Sequence, residues 1–165
     1  MFIPTKAQAE LIAKEYGTPT FVTDRDTLAR QAEKMRAAFG SDAKAFFAIK
    51  ANYNPHIVRA LKAAGIYGID AVSPGEIRLA LELGFPPDRI LYTPSNPSTE
   101  ELRAAGEYGV LQNLGSLSEI ERYAALFPDS RVSVRICPEV GAGEFEQVTT
   151  GNVESKFGIP LPDVD

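Results

Sequence analysis

A single cysteine, a single histidine and no tryptophan leave little room for several common chemistries. With Cys137 alone, an internal disulfide and a thiolate metal site are excluded, and with His56 alone a zinc centre and a serine-type triad have too few ligands or bases. No metal is therefore expected. Lysine and arginine number 17 against 22 aspartates and glutamates, for a net charge of −5, and no cluster of them forms the basic stripe that nucleic acid requires. No apolar run approaches the length of a bilayer span, and Met1-Phe2-Ile3-Pro4-Thr5-Lys6 lacks the charged start and apolar centre of a signal peptide. These absences argue against nucleic-acid and membrane partners and make the cytoplasm the expected location. What is there, 44% hydrophobic and 24% charged residues, is the composition of a globular chain with a real core.

The chain opens with a helical stretch from Ala7 to Tyr16, stopped at Gly17 with Pro19 just beyond. Thr20 to Thr23 reads as extended. Asp24 or Asp26 then caps a second helix, whose Leu28, Ala32, Met35 and Phe39 share one face and which Gly40 ends. From there strands alternate with helices: about Lys44 to Ile49, Gly68 to Val72, Arg89 to Thr93, Val110 to Asn113 and Arg131 to Cys137. The spacing, roughly 21 to 23 residues, is that of a minimal strand, helix and two short loops. Ser73 with Glu76, Ser98 with Glu101 and Ser116 with Glu119 read as capping boxes, in which hydroxyl and carboxylate satisfy each other's backbone donors. Asn54-Pro55 starts the helix after Lys50, so His56 falls in a first helical turn, where a solvated or locally bonded imidazole is expected.

Short connections between alternating strands and helices imply parallel strands joined by right-handed crossovers. An open doubly wound sheet and a (β/α)8 barrel compete. In Arg131 to Cys137 the apolar Val132, Val134 and Ile136 face one way, towards helices, and Arg131, Ser133, Arg135 and Cys137 face the other. A strand covered on both faces is apolar throughout, whereas a barrel mouth tolerates polar groups that meet a ligand. The barrel is therefore expected, with Lys50, Asp70 and Arg135 at the carboxyl ends of strands where barrels place their chemistry.

Lys50 is the hardest of these to explain as structure. Alternation puts Phe46, Ala48 and Lys50 on one face and Phe47 and Ile49 on the other, so an amine ends an otherwise apolar strand. One reading is a rim lysine reaching solvent. The other is a partly desolvated amine able to condense with a carbonyl compound, with Ala48 leaving room for a flat ligand. Likewise Lys50, Asp70 and Arg135 read either as a ligand site or as a structural ion-pair network. Cys137 has no base placed to activate it and reads as a small buried thiol. Gly141-Ala142-Gly143 lacks the third glycine and the helix of a dinucleotide fingerprint.

Phe47-Ala48-Ile49-Lys50-Ala51-Asn52 resembles the cofactor-lysine motif of the fold-type III pyridoxal-phosphate decarboxylases. The likeness continues through Gly68-Ile69-Asp70-Ala71-Val72-Ser73-Pro74-Gly75-Glu76, Val134-Arg135-Ile136 and Thr150-Gly151-Asn152-Val153-Glu154-Ser155-Lys156-Phe157-Gly158, in order and spacing. Gly17 to Asp24 is similar to the start of the branch that decarboxylates meso-diaminopimelate to L-lysine.

The resemblance implies a pyridoxal 5'-phosphate-binding barrel of the alanine racemase-like type. Residues 1–43 would be a lead-in and 44–165 an incomplete barrel of about five strands. It implies that Lys50 holds the cofactor and acts in catalysis, that Ala48 and Asp70 lie beside the lysine and the cofactor, and that Arg135 lies against the ring. An amino-acid substrate and a homodimeric full-length enzyme follow from it as well. The family's stacking histidine, phosphate-binding glycines, pyridine-nitrogen acid and carboxyl-terminal β-domain are expected beyond Asp165. At Gly143-Glu144-Phe145-Glu146-Gln147 the chain departs from the histidine and lysine that relatives often carry. Three readings follow: a decarboxylase of the diaminopimelate type or a carboxynorspermidine, ornithine or arginine relative; a non-catalytic pyridoxal-phosphate-binding protein; and an inactive piece that associates through open strand edges.

Overall fold

A computed structural model describes residues 2–138 and 157–164. The chain divides into two compact units, one of Met1–Ala45 with Asn54–Ile66 and one of Phe46–Tyr53 with Tyr67–Asp165.

The first unit is helical. Helix α1 (Lys6–Tyr16) starts in a capping box between Thr5 and Gln8, and α2 (Arg25–Phe39) starts at Asp24, whose carboxylate accepts from the Thr27 N–H at 2.7 Å. Both stop at a glycine of positive φ, Gly17 and Gly40, as the sequence predicts. Helix α3 (Pro55–Ala63) is capped by Asn54, which accepts from the His56 N–H at 2.9 Å and leaves the imidazole exposed. Helices α2 and α3 pack together and bury Ala32, Val58 and Leu61 within this unit. Arg36 donates to Glu33 within α2 and, across the pair, to the Ala64 carbonyl at the end of α3.

The second unit holds five parallel strands in the order β1-β2-β3-β4-β5: Phe46–Ala48, Gly68–Ala71, Ile90–Tyr92, Leu111–Leu114 and Val132–Val134. Helices α4 (Pro74–Glu82), α5 (Thr99–Glu107) and α6 (Leu117–Leu126) join β2 through β5. A doubly wound sheet reverses its strand order at a switch point. Here the order is sequential throughout, as in the wall of a barrel, and the expected choice between the two architectures holds.

The two faces of the sheet differ as a barrel requires. Ile69, Ala71, Ile90, Tyr92, Gln112 and Leu114 are buried on the helix side, against Ile77, Ala80, Leu102 and Ala105. Leu102, Leu114 and Tyr123 form one cluster, closed by Ile120, Leu126, Phe127 and Val132. Ala48, Asp70, Leu91 and Leu111 follow one another in register on the opposite face and are all half-buried.

Four strands are shorter than the sequence predicts, β2 and β3 by a residue at one or both ends and β1 and β5 by more. Strand β1 begins at Phe46, where its ladder partner β2 begins at Gly68, and it ends at Ala48 because Ile49–Ala51 turn into a single 3-10 turn closed by Asn52 N–H on the Ile49 carbonyl at 3.0 Å. The fifth strand breaks at Arg135. That residue's N–H donates to the Leu114 carbonyl at 2.8 Å, while its own carbonyl accepts from Ile159 at 2.8 Å. The chain thereby passes into a second, two-stranded parallel sheet, β6 (Ile136–Cys137) with β7 (Ile159–Pro160). The expected alternation inverts across the break: Ile136 is exposed and Cys137 is buried. The buried thiol matches the reading of Cys137, but the helix-facing role expected for Ile136 does not.

The capping boxes also need refinement. Ser98 and Glu101 close one as expected. Glu76 and Glu119 instead reach one residue further back, to the N–H groups of Val72 at 2.7 Å and Gly115 at 2.6 Å, and so tie the strand end to the helix start. Each serine still accepts from the N–H three residues on.

Tyr92 carries a testable consequence. Its hydroxyl is buried with no hydrogen-bond partner among the described residues. Burial, and then the carboxylates of Glu101, Glu119 and Glu76, push its ionisation well above the usual 10.0. A phenol raised in the folded state stabilises fully below its unfolded value, and that contribution is lost as pH rises past about 10. Tyr92→Phe is therefore expected to leave stability at neutral pH unchanged or raise it by up to about 1 kcal/mol. It should also flatten the alkaline loss by up to about 1.4 kcal/mol per pH unit. Denaturant titrations between about pH 9 and pH 11 measure both.

Candidate active site

The carboxyl ends of the strands gather the polar residues of the second unit. On β2, Asp70 is the register partner of Ala48 on one side and Leu91 on the other, and its carboxylate accepts a hydrogen bond from the Thr93 hydroxyl. Further along the sheet, Ser133 donates to Asn113 at 3.1 Å, here between register partners. The open face thus carries two polar rungs near its carboxyl end, above half-buried Ala48, Leu91 and Leu111. Sequence reading singled out Asp70 but not its Thr93 partner. Its only signal was that Thr93 closes an apolar run, as Asp70 nearly does.

Lys50 stands in the 3-10 turn that follows β1, two residues past Ala48. The turn corrects the simple alternation, in which Lys50 continued the face of Phe46 and Ala48: Ile49 is fully buried, and Lys50 is lifted out at the strand end and exposed. Its amine makes no hydrogen bond or ion pair to another described residue. Salt bridges among the described residues join Lys6 to Glu10, Arg36 to Glu33 and Arg78 to Glu82, so Lys50, Asp70 and Arg135 do not neutralise one another.

Arg135 lies at the opposite edge of the sheet. Its guanidinium is stacked on Phe157, 4.5 Å from the ring centroid, a cation–π arrangement that fixes an otherwise exposed charge. It lines a cleft of about 360 Å3 formed by the loops after β3, β4 and β5, with Ser95, Asn96, Asn113 and Glu119 among its walls. Glu119 is only 4% exposed and keeps its carboxylate on the Gly115 N–H, so the acid closes the β4 corner below the cleft. Asn96 holds a left-handed backbone (φ 51) at the cleft's edge. Neither Glu119 nor Asn96 stood out in the sequence as a site residue. The structure therefore brings Ala48 and Asp70 together, keeps Lys50 at the end of the same strand as Ala48, and sets Arg135 in a separate cleft. The Gly141 to Gln147 stretch and most of the Thr150 to Gly158 motif lie outside the described residues.

These groups fit the aldehyde end of pyridoxal phosphate. Lys50 is exposed and not desolvated, as the rim reading expects, and its primary amine, with no partner among the described residues, is the group that can condense with an aldehyde. Ala48 presents only a methyl on the open face, and Asp70, oriented by Thr93, sets an acceptor beside it.

Residues 25–165 match the family described as pyridoxal-dependent decarboxylase, pyridoxal binding domain. The diaminopimelate decarboxylase of Methanothermobacter thermautotrophicus is 43% identical over 157 residues, which is 93% of this chain and 36% of that protein. The crystal structure of the Helicobacter pylori diaminopimelate decarboxylase complexed with L-lysine superposes with a TM-score of 0.81 at 29% identity, over 92% of this chain and 40% of that one. The lysine decarboxylase of Selenomonas ruminantium superposes at 0.73 and 29% identity, over 86% of this chain and 38% of that one. The chain thus spans little more than a third of the length of the relatives it matches.

Proposed function

The chain belongs to the pyridoxal-dependent decarboxylase family, within its pyridoxal-binding domain, and from that premise we propose that it holds pyridoxal phosphate through Lys50 and serves the decarboxylation of an amino acid, meso-diaminopimelate. The observation that supports the cofactor assignment is the match of residues 25–165 to a pyridoxal binding domain, with Lys50 in the turn that ends β1 and its amine without a partner among the described residues. The substrate rests on the 43% identity to a diaminopimelate decarboxylase. No described helix is long and apolar enough to cross a membrane. The reading carries with it a cytoplasmic enzyme that works as a homodimer, with residues 44–165 forming barrel wall and 1–43 leading into it.

When bound, the cofactor supplies the electron sink that loss of carbon dioxide requires. The chain's own contributions are positional and protonic. Lys50 Nζ holds the group and afterwards carries a proton at the same atom. Asp70, its carboxylate fixed by the Thr93 hydroxyl, keeps an acceptor beside Ala48 so that the site's donors have a fixed direction to face. Arg135, immobilised on Phe157, presents a permanent positive charge at the mouth.

The test is to incubate the purified chain with pyridoxal phosphate, reduce with borohydride and map the modified lysine by peptide mass. The expected result is one dominant label, on Lys50. Labels spread over several of the chain's lysines would overturn the assignment. Turnover of diaminopimelate against lysine and ornithine by a protein containing this chain then tests the substrate.

A further inference from the structure

The first unit carries a basic hollow that the decarboxylase reading does not use. Two adjoining depressions, of about 270 Å3 and about 370 Å3, share Arg25, His56 and Ala60. Arg59 lines the second, and Phe21, Leu28 and Ile57 give the first an apolar wall. Arg25, His56 and Arg59 are all exposed, and none makes a side-chain hydrogen bond or an ion pair to another described residue. Two acids flank Arg25: Asp24 is already committed as the cap of α2, the Thr27 hydroxyl and N–H holding its carboxyl below the usual range, and Asp26, exposed in the first turn of α2, makes no ion pair to another described residue.

The placement of these basic groups is unfavourable by itself. Arg25 opens α2 and His56 stands in the first turn of α3, so two basic groups sit at the positive ends of two helices. Arg59, one turn further along α3, adds a second guanidinium to the same concavity. In a chain of net charge −5, two guanidinium groups and an imidazole that line one hollow with no ion pair to another described residue are out of keeping with the rest of the surface. An anion lying between them reverses the sign of each of these terms, and two guanidinium groups offer it paired donors. We propose that this hollow binds a small organic dianion through a phosphate or dicarboxylate group held by Arg25, Arg59 and His56, with Phe21, Leu28 and Ile57 against its apolar part.

The chain's only histidine makes the test direct, because the imidazole proton signals in an NMR spectrum belong to His56 alone. Sodium phosphate and sodium succinate are titrated separately into the chain near neutral pH, against sodium chloride at matched ionic strength. The expected result is a saturable shift of the His56 signals at concentrations on the order of millimolar, larger for whichever dianion is preferred and absent with chloride. Arg25→Gln and Arg59→Gln each weaken it about tenfold, as loss of a charge-assisted contact does. Lys50→Arg leaves it unchanged, which separates this hollow from any cofactor site. A shift that chloride reproduces, or one that both glutamine variants retain at full strength, overturns the proposal. Both arginines are exposed, and a thermal melt of each variant confirms that it is folded.

Discussion

Lys50→Arg is expected to reduce covalent capture of pyridoxal phosphate to background while leaving the cooperative melt where it was. Arginine keeps the positive charge and most of the length, so screening and solubility are untouched, but its guanidinium stays protonated and is no nucleophile towards an aldehyde. The structure makes the separation clean. Lys50 is exposed, bonds to no other described residue and sits in a one-turn 3-10 segment, so nothing in the core depends on it. Surface changes of that kind alter stability by about 0.5 kcal/mol or less. Any turnover by a protein containing this chain should fall by a factor on the order of 10³ or more, the range for loss of a nucleophile. Retained labelling at the wild-type level, with the reduced adduct found on Lys44 or Lys62, would remove Lys50 from the site.

Much of this was legible because it is local. Helix starts at Asp24, Asn54 and Ser98 follow from side chains that reach only two or three residues, and the stops at Gly17 and Gly40 from a single backbone angle. The barrel reading followed from polar residues at strand ends, and the sequential strand order agrees with it. What was not legible depended on partners distant in the chain. The break at Arg135 is set by a hydrogen bond from Ile159, and by Gly158, whose φ of 88 and close approach to the backbone of Ile136 and Cys137 no pattern around Arg135 announces. Similarly, the sequence marked Glu76 and Glu119 as capping residues but not their reach to Val72 and Gly115, because a capping pattern does not say where the preceding strand ends. The 3-10 turn that lifts Lys50 off its strand was hidden for a related reason: Ile49 is apolar enough to extend a strand, and only its complete burial beyond the ladder shows that it does not.

Gly68→Ala tests the edge of the sheet next to the site and is expected to cost about 2–4 kcal/mol, the upper range for overpacking against atoms that cannot move away. Gly68 is buried at the first rung of β1 and β2, opposite Phe46. A methyl built there meets the Arg89 carbonyl oxygen and the Phe46 ring. The carbonyl belongs to backbone at the start of β3, and the ring is held edge-on to Tyr67 with centroids 5.5 Å apart, while Arg89 lies over the Tyr67 ring at 4.8 Å. The Phe46 ring, on an exposed side chain, can turn aside, but the carbonyl is backbone, so relief requires β2 to part from the start of β3, which disturbs the register of Asp70 between Ala48 and Leu91. Gly75→Ala is the control. Gly75 lies in the first turn of α4, its added methyl meets nothing nearer than the Ser73 hydroxyl at 3.8 Å, and alanine restricts the unfolded chain, so that change should be neutral or stabilise by up to about 1 kcal/mol. Urea melts of the two variants measure the contrast directly. Loss of Lys50 labelling in Gly68→Ala at a temperature where the variant is still folded would tie the packing of the sheet to the chemistry of the turn after β1; undiminished labelling would mean that the amine reacts without the register that sets Ala48 beside Asp70.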